Sequence, residues 1–166
     1  AGGHVKSTKP TNPKVPEEVY EQGNAVYYYS LDTASTGRSY ANVTMDGDYN
    51  TAYYTRGAID NYGTIDLRSK YDVDNKNSDA RGFGNIGIFS SNTNVASTNY
   101  GTITTGMSDT ENLQYSIGMG AGYTTVDTGN IINKGTINVN GKSGFGMYAT
   151  GSGSTARNEG NITLNA

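Results

Sequence analysis

The chain has 166 residues, of which only 34% are apolar and 23 are glycine, and its net charge is -3. It lacks cysteine and tryptophan and has His4 as its single histidine, which excludes disulfides, thiolate chemistry, a histidine-based triad and a zinc site of the usual ligands. There is neither a basic patch with interleaved aromatic residues nor a long apolar run. We therefore expect no nucleic-acid partner and no membrane insertion by this chain.

The N-terminal segment differs in composition from the rest of the chain. All 3 prolines lie in residues 1–16, together with Lys6, Lys9 and Lys14, and the segment shows no apolar periodicity. This composition predicts a flexible basic linker. Residues 17–166 contain no proline and are rich in Thr, Tyr, Val, Ile, Asn and Gly, which predicts short β-strands joined by tight turns.

Two short sequence units alternate along residues 17–166. The first unit recurs as "NYGTIDL" (61–67), "NYGTITT" (99–105), "NKGTINV" (133–139) and "NEGNITL" (158–164), with "YANVTM" (40–45) as a degenerate copy. The second recurs as "VYYYS" (26–30), "TAYYT" (51–55), "IGIFS" (86–90), "IGMGA" (117–121) and "FGMYA" (145–149). The same spacing separates Tyr27 from Ala41, Gly87 from Gly101 and Gly146 from Gly160, which indicates one structural repeat.

Both units have the pattern of strands that bury one face against neighbouring repeats. Ile65 and Leu67 in the first unit stand two residues apart and share one face, as Ile86 and Ile88 do in the second. Because one repeat cannot bury this face alone, we predict an all-β parallel β-helix of about five coils, with two or three strands per coil. Residues 17–57 are expected to form degenerate coils that partly cap the stack, and residues 58–166 the regular repeats.

One asparagine opens each regular copy of the first unit. Asparagine tolerates turn conformations, and its amide can bond to the coils on both sides, so we interpret these residues as a structural ladder. The ladder comprises Asn61, Asn99, Asn133 and Asn158.

The stretch "GFGNIG" (82–87) matches the glycine fingerprint of dinucleotide-binding proteins. That fingerprint requires a following helix within a βαβ unit, and no helical pattern follows here. Gly87 also belongs to the second repeat unit. We therefore interpret these glycines as structural.

Two insertions interrupt the repeat, both between a first unit and the next second unit. Residues 68–82 and residues 106–114 must therefore leave the stack as loops at the same corner. Loops on a rigid scaffold often carry binding residues, so their charged and aromatic side chains are candidates; the alternative is two solvated loops without a ligand. The candidates are Arg68, Lys70, Tyr71, Asp72, Asp74, Asp79, Arg81, Asp109 and Glu111.

Aromatic residues recur at two outward positions and offer a second candidate surface. Tyr29, Tyr54, Phe89 and Tyr148 share a position in the second unit, and Tyr40, Tyr62 and Tyr100 precede the glycine of the first. Each set is expected to form a ladder of rings that support one another across strands. The alternative is an exposed ladder that receives sugars or apolar side chains, for which Tyr54, Phe89 and Tyr148 are candidate binding residues.

Metal binding and catalysis have weaker support. Asp72, Asp74 and Asp79, like "DGDYN" (46–50), lack the glycine and glutamate positions of a calcium-binding loop, so we predict no metal site and no cofactor. Polysaccharide lyases also use parallel β-helices, but their catalysis needs clustered acids beside a base. The one neighbouring set is Asp60, Asp66, Arg56 and Arg68, and it does not recur in a second coil. We predict that the chain is not an enzyme.

The last repeats, "NKGTINVNGKSGFGMYATGSGSTARNEGNITLNA" (133–166), resemble those of passenger regions in large autotransporter adhesins, especially the fusobacterial type. The resemblance extends over residues 40–166. It implies a right-handed β-helix that is secreted, displayed at the cell surface and anchored at the outer membrane through a C-terminal β-barrel of a longer parent chain. It also implies attachment to host cells or other bacteria, and a role in virulence. Since the chain has no barrel and stops inside a repeat, we expect it to be a part of such a parent.

From these patterns we predict a non-enzymatic adhesin segment whose partner is a receptor, protein or glycan, on a host cell or another bacterium. The alternative is a structural stalk that holds a distal adhesive region away from the cell. A polysaccharide lyase is the less favoured third reading.

Overall fold

The computed structural model describes the strand backbone of residues 2–6 and residues 25–67, 83–111, 113–123 and 127–165. Sixteen β-strands and no helix occur in these residues, and hence no apolar helix long enough to cross a membrane. The first sheet contains, in spatial order, β1 (Gly2–Lys6), β4 (Asn42–Asp46), β7 (Thr64–Asp66), β10 (Thr102–Thr105), β13 (Thr136–Asn140) and β16 (Asn161–Asn165). The second contains β14 (Phe145–Ala149), β11 (Ile117–Ala121), β8 (Ile86–Ser90), β5 (Thr51–Thr55) and β2 (Val26–Ser30). The third contains β15 (Thr155–Asn158), β12 (Asn130–Asn133), β9 (Ser97–Asn99), β6 (Ala58–Asn61) and β3 (Thr36–Ser39).

The chain winds through the three sheets in a fixed order, from the second to the third to the first, and does so five times. All pairs within the sheets are parallel and in register. Parallel strands joined by crossovers in one sheet connect with a right hand. The fold is therefore a right-handed parallel β-helix of five coils, as predicted, with three strands in every coil.

Strand β1 adds a sixth strand to the first sheet. It pairs with β4 from Gly2 opposite Asn42 to Lys6 opposite Asp46. The strand lies inside the segment predicted to be a flexible linker, and the absence of apolar periodicity there gave no sign of it. Residues 7–24 lie outside the described residues, so the division at residue 16 stays a prediction.

Apolar side chains from all three sheets meet in one central core. Ile65 and Leu67 are buried as predicted, and so is Ile88, whereas Ile86 is only half-buried. In the last coil Leu164 is 68% exposed because β16 is an edge strand of the first sheet. Each fully buried large side chain contributes roughly 1.5 to 3 kcal/mol to folding. The other members of the core are Val43, Met45, Ala52, Tyr53, Ile59, Ile103, Met119, Ala121, Ile131, Ile137 and Val139.

Close approach between backbones explains both repeated glycine positions. A Cβ atom on Gly101 would lie 1.9 Å from the carbonyl oxygen of Gly63 in the preceding coil. On Gly87 it would clash with the carbonyl oxygen of Gly118 in the next coil and would lie 2.7 Å from the Cγ2 atom of Ile103 in the first sheet. Gly87 of the stretch that resembles a nucleotide fingerprint thus serves packing within the β-helix, whereas Gly82 lies outside the described residues.

The predicted asparagine ladder is present. The Nδ2 atom of Asn61 donates to Oδ1 of Asn99 at 2.9 Å, Asn99 to Asn133 at 2.9 Å, and Asn133 to Asn158 at 2.8 Å. Each amide also donates to a carbonyl of its own turn, as Asn61 does to Gly63 at 3.2 Å. The ladder therefore fixes the turn within a coil and the register between coils.

A second asparagine contact, which the sequence did not indicate, lies at the corner before the second sheet. Asn50 and Asn85 are fully buried, and the Asn50 N–H donates to Oδ1 of Asn85 at 2.8 Å. Oδ1 of Asn50 in turn accepts from the Ala25 N–H at 3.1 Å. These amides satisfy backbone groups where the chain turns from the first sheet into the second.

Candidate ligand-binding face

Three tyrosines stack in a row at the turn between the third and the first sheet. Tyr40 and Tyr62 have ring centroids 5.0 Å apart at an interplanar angle of 17°, and Tyr62 and Tyr100 are 4.6 Å apart at 4°. The three side chains are 63%, 38% and 41% exposed in that order. We call Tyr40, Tyr62 and Tyr100 the tyrosine row; the sequence predicted this ladder.

Backbone bonds between coils set the spacing of the row. The Tyr62 N–H donates to the Ser39 carbonyl at 2.7 Å, and the Tyr100 N–H donates to the Asn61 carbonyl at 2.7 Å. The Lys134 N–H continues this pattern in the fourth coil, and its Nζ atom lies 5.7 Å from the centroid of the Tyr100 ring. The row therefore ends in a cation–π contact.

A second column of side chains runs beside the row on the third sheet. It comprises the residues two positions before the three tyrosines and before Lys134 and Glu159, and the strand register aligns them: Arg38, Asp60, Thr98, Ile132 and Arg157. Arg38 is exposed and Asp60 is half-buried. We call the tyrosine row together with Arg38, Asp60 and Lys134 the tyrosine face.

The charges of the tyrosine face interact. Burial raises the pKa of the Asp60 carboxyl, while a hydrogen bond from the Thr98 backbone, Arg38 and Lys134 each lower it. Desolvation also raises the pKa of the Tyr62 hydroxyl, as does Tyr100, and Arg38 opposes this rise. Both cations thus act on the same carboxyl, which places them in one electrostatic patch.

An open groove of about 300 Å³ lies at the N-terminal end of this face. Among the described residues it is lined by Thr36, Gly37, Arg38 and Asp60. Its lining is mostly polar and includes one cation and one carboxyl. Such a groove suits a small polar ligand better than an apolar one.

The second predicted ring ladder is shorter than expected. Tyr29, Tyr54 and Phe89 stack at 5.1 Å in both steps. Gly120 occupies the corresponding position of the repeat in the fourth coil, so Tyr148 is separated from the stack. The Tyr148 ring instead packs against Phe145, with the ring centroids 5.5 Å apart. The prediction of one continuous ladder through Tyr148 was wrong because the fourth coil has no ring there. Phe89 is only 8% exposed, and its ring lies roughly perpendicular to that of Tyr123 with the centroids 6.4 Å apart.

The described corner loop is a small hairpin. Asp109 and Gln114 exchange two backbone hydrogen bonds of 2.8 Å, and the Glu111 N–H donates to Oδ1 of Asp109 at 3.1 Å. The Ser108 hydroxyl donates to the Ser143 carbonyl at 3.0 Å, which ties the loop to the last coil. Burial raises the pKa of the Tyr49 hydroxyl, and the negative charge of Asp109 raises it further.

The other insertion lies outside the described residues. It contains the candidates Arg68, Lys70, Tyr71, Asp72, Asp74, Asp79 and Arg81, whose binding role stays a prediction. Its two ends join the first sheet to the second, as the hairpin does, so both insertions leave the same corner.

The acid–base set weighed for catalysis is spread over the fold. Asp60 lies on the third sheet, Asp66 lies on the first, and Arg56 pairs with Asp127 at 3.8 Å. The described part of the chain holds no cluster of three or more histidine, aspartate or glutamate side chains arranged for a metal. Asp48 of "DGDYN" instead accepts a hydrogen bond from the Phe83 N–H at 2.9 Å.

A family model for the BigA third pectate lyase-like domain matches residues 69–166, more than half of the chain. The chain belongs to this family. Its description agrees with the parallel β-helix, and it names an architecture rather than a reaction. Comparisons with curated proteins and with solved structures found no match. Arg38, Tyr40, Asp60 and Tyr62 precede the matched residues, so the family match does not bear on the groove.

Proposed function

We propose that this chain is a non-enzymatic segment of a bacterial surface adhesin, displayed in the manner of an autotransporter passenger and attached to a longer parent. Membership of the BigA domain family supports a bacterial surface protein. The β-helical fold supports a passenger segment, because such a stack presents long regular faces to the outside. Its partner would be a receptor on a host cell or on another bacterium.

The tyrosine row is the observation that carries this proposal. Contiguous exposed apolar surface often marks an interaction site, and the row places three partly exposed aromatic rings side by side. The rings hold one another in place, so binding would cost them little conformational entropy. Tyrosine combines a large apolar ring with a hydroxyl that can donate or accept, which suits recognition in water.

The distribution of acids and bases supports a role without catalysis. A lyase site needs a base and stabilising groups around one substrate position. Asp60 and Asp66 lie on different sheets, and Arg56 is directed to Asp127.

A structural stalk is the second candidate, and the asparagine ladder favours it. Three buried or half-buried amide–amide hydrogen bonds in succession, and three sheets in register, make a stiff rod. A stalk would use this stiffness to hold another region at a distance and would bind nothing itself.

Binding of the fluorescently labelled chain to epithelial cells and to bacterial cells separates the two. The matched variant carries Tyr40→Ser, Tyr62→Ser and Tyr100→Ser and must retain the β-type circular dichroism. An adhesin segment binds saturably and loses most of its binding in the variant. Absence of binding by the unaltered chain to every cell type would support the stalk.

A further inference from the structure

We propose that the tyrosine face binds a carboxylated saccharide, with the sugar carboxylate on Arg38 in the groove and the sugar ring against the open face of Tyr40. This inference rests on the proposed adhesive function and names the ligand class. It follows from the charges, ring orientations and polar columns of the face.

Two cations of the face form no salt bridge among the described residues, which points to an anionic ligand. In the part of the chain that the structure describes, ion pairs join Arg56 to Asp127 and Arg157 to Glu159, and neither Arg38 nor Lys134 takes part in one. A guanidinium is planar and can bind a carboxylate through two parallel hydrogen bonds. The face thus offers a cation at each end of the tyrosine row, in a chain that is negative overall.

The ring orientations favour a saccharide over apolar side chains. Tyr62 is stacked on both sides, so its faces are covered and only its edge and hydroxyl point to solvent. Tyr40 is stacked on Tyr62 and is the most exposed ring of the row. Among the described residues no ring stacks on the other face of Tyr40, which leaves that face for one sugar ring, and the rest of the row offers hydroxyls.

A column of polar side chains on the first sheet, on the opposite side of the tyrosine row from Arg38 and Asp60, extends this hydroxyl-rich surface. The residues two positions after each row member lie on the first sheet, where Thr64 Oγ1 donates to Oδ1 of Asn42 at 3.0 Å. Threonines occupy the same position in the next two coils, at Thr102 and Thr136. A ligand with many hydroxyls can exchange hydrogen bonds along these coils, whereas an apolar partner would leave them unsatisfied.

Asp60 and the groove set the size and orientation of the first sugar. A volume of about 300 Å³ is at the lower end of small-ligand sites and fits a single ring. The half-buried Asp60 carboxylate would accept hydrogen bonds from sugar hydroxyls, and Arg38 is the one cation among the described residues that line the groove. The ligand's own carboxylate therefore belongs at Arg38.

The test is a printed glycan array probed with the labelled 166-residue chain. The array carries sialylated and glucuronate-containing oligosaccharides, each beside an uncharged match, which is the desialylated glycan or the methyl ester. We expect binding to at least one acidic glycan and at least about tenfold weaker binding to its uncharged match. Polyglutamate on the same surface represents an acidic peptide.

Three single variants locate the site. Arg38→Gln and Tyr40→Ala should each weaken binding to the acidic glycan by about tenfold or more, while both keep the β-type circular dichroism and stay folded at the temperature of the binding assay. Arg157→Gln is the matched control, because Arg157 lies in the same column and pairs with Glu159 at 3.2 Å. It should leave binding unchanged.

Several outcomes would overturn the inference: no binding to any acidic glycan, equal binding to charged and uncharged matches, or binding to polyglutamate alone. Equal loss in Arg38→Gln and Arg157→Gln would also overturn it. Cell binding distinguishes this failure from failure of the adhesive function. If the unaltered chain and Arg38→Gln bind cells equally, adhesion stands without this ligand; if the unaltered chain binds no cells, adhesion itself fails.

Discussion

Replacing Asn99 by alanine should destabilise the β-helix strongly. Asn99 is fully buried, donates to Asn133 at 2.9 Å and to the Gly101 carbonyl at 3.1 Å, and accepts from Asn61 at 2.9 Å. Alanine leaves the Asn133 Oδ1 atom and one Asn61 amide proton without these partners in the interior. Each buried polar group left unpaired costs about 1 to 3 kcal/mol, so with two such groups the free energy of unfolding should fall by roughly 2 to 6 kcal/mol.

Asn158→Ala is the matched control for this prediction. Asn158 stands in the same ladder and accepts from Asn133 at 2.8 Å, but it is exposed, so water can replace the lost bonds. The Asn158→Ala substitution should therefore lower the free energy of unfolding by less than about 1 kcal/mol. Urea unfolding followed by circular dichroism measures both. If both variants lose the same free energy of unfolding, the stability does not depend on the burial of the ladder, and the reasoning is refuted.

Three further predictions concern the glycines, the tyrosine row and the half-buried carboxyl. Gly101→Ala should cost more than about 3 kcal/mol or prevent folding, whereas Gly120→Ala, whose Cβ meets nothing closer than 3.4 Å, should change stability by less than about 1 kcal/mol in the same urea assay. Tyr62→Ala should cost about twice as much as Tyr40→Ala, since it loses two stacking partners instead of one; thermal unfolding that ranks them in the opposite order would contradict the stacking geometry. Burial raises the pKa of the Asp60 carboxyl above 3.8 in the folded chain, so the native state binds this proton more tightly and stability falls as the pH rises through that window. Asp60→Asn should therefore be the more stable chain near neutral pH and lose its advantage below about pH 4, and an advantage independent of pH would argue against this assignment.

The sequence predicted the architecture well at positions where every coil requires the same residue type. Asn99 and Asn133 must be asparagine to bond on both sides, and Gly101 must be glycine because a carbonyl lies 1.9 Å from its Cβ position. Such requirements recur in every coil, so the repeat was visible. The third-sheet strands were not identified as a unit, because "AIDN", "STN" and "NIIN" share only their burial and their final asparagine.

The candidate site was predicted only in part. The tyrosine row was visible as one residue type at one repeat position. The proximity of Arg38 and Asp60 to the row was not visible, because the residue type in their column differs from coil to coil. Only the register of the third sheet aligns these residues. Tyr148 was assigned to the second ladder because it occupies the matching position of the repeat. The assignment failed because Gly120, at that position in the intervening coil, has no ring to connect Tyr148 to Phe89.

Labelling of exposed tyrosines on the cell-bound chain tests the central claim most directly. The chain is reacted with a tyrosine-specific reagent free in solution and again when bound to cells, and each site is quantified by mass spectrometry. Our account predicts protection of Tyr40, Tyr62 and Tyr100 on binding, while Tyr29 and Tyr123, which are 60% and 75% exposed, stay reactive. Protection of Tyr29 or Tyr123 with an unprotected tyrosine row would contradict it.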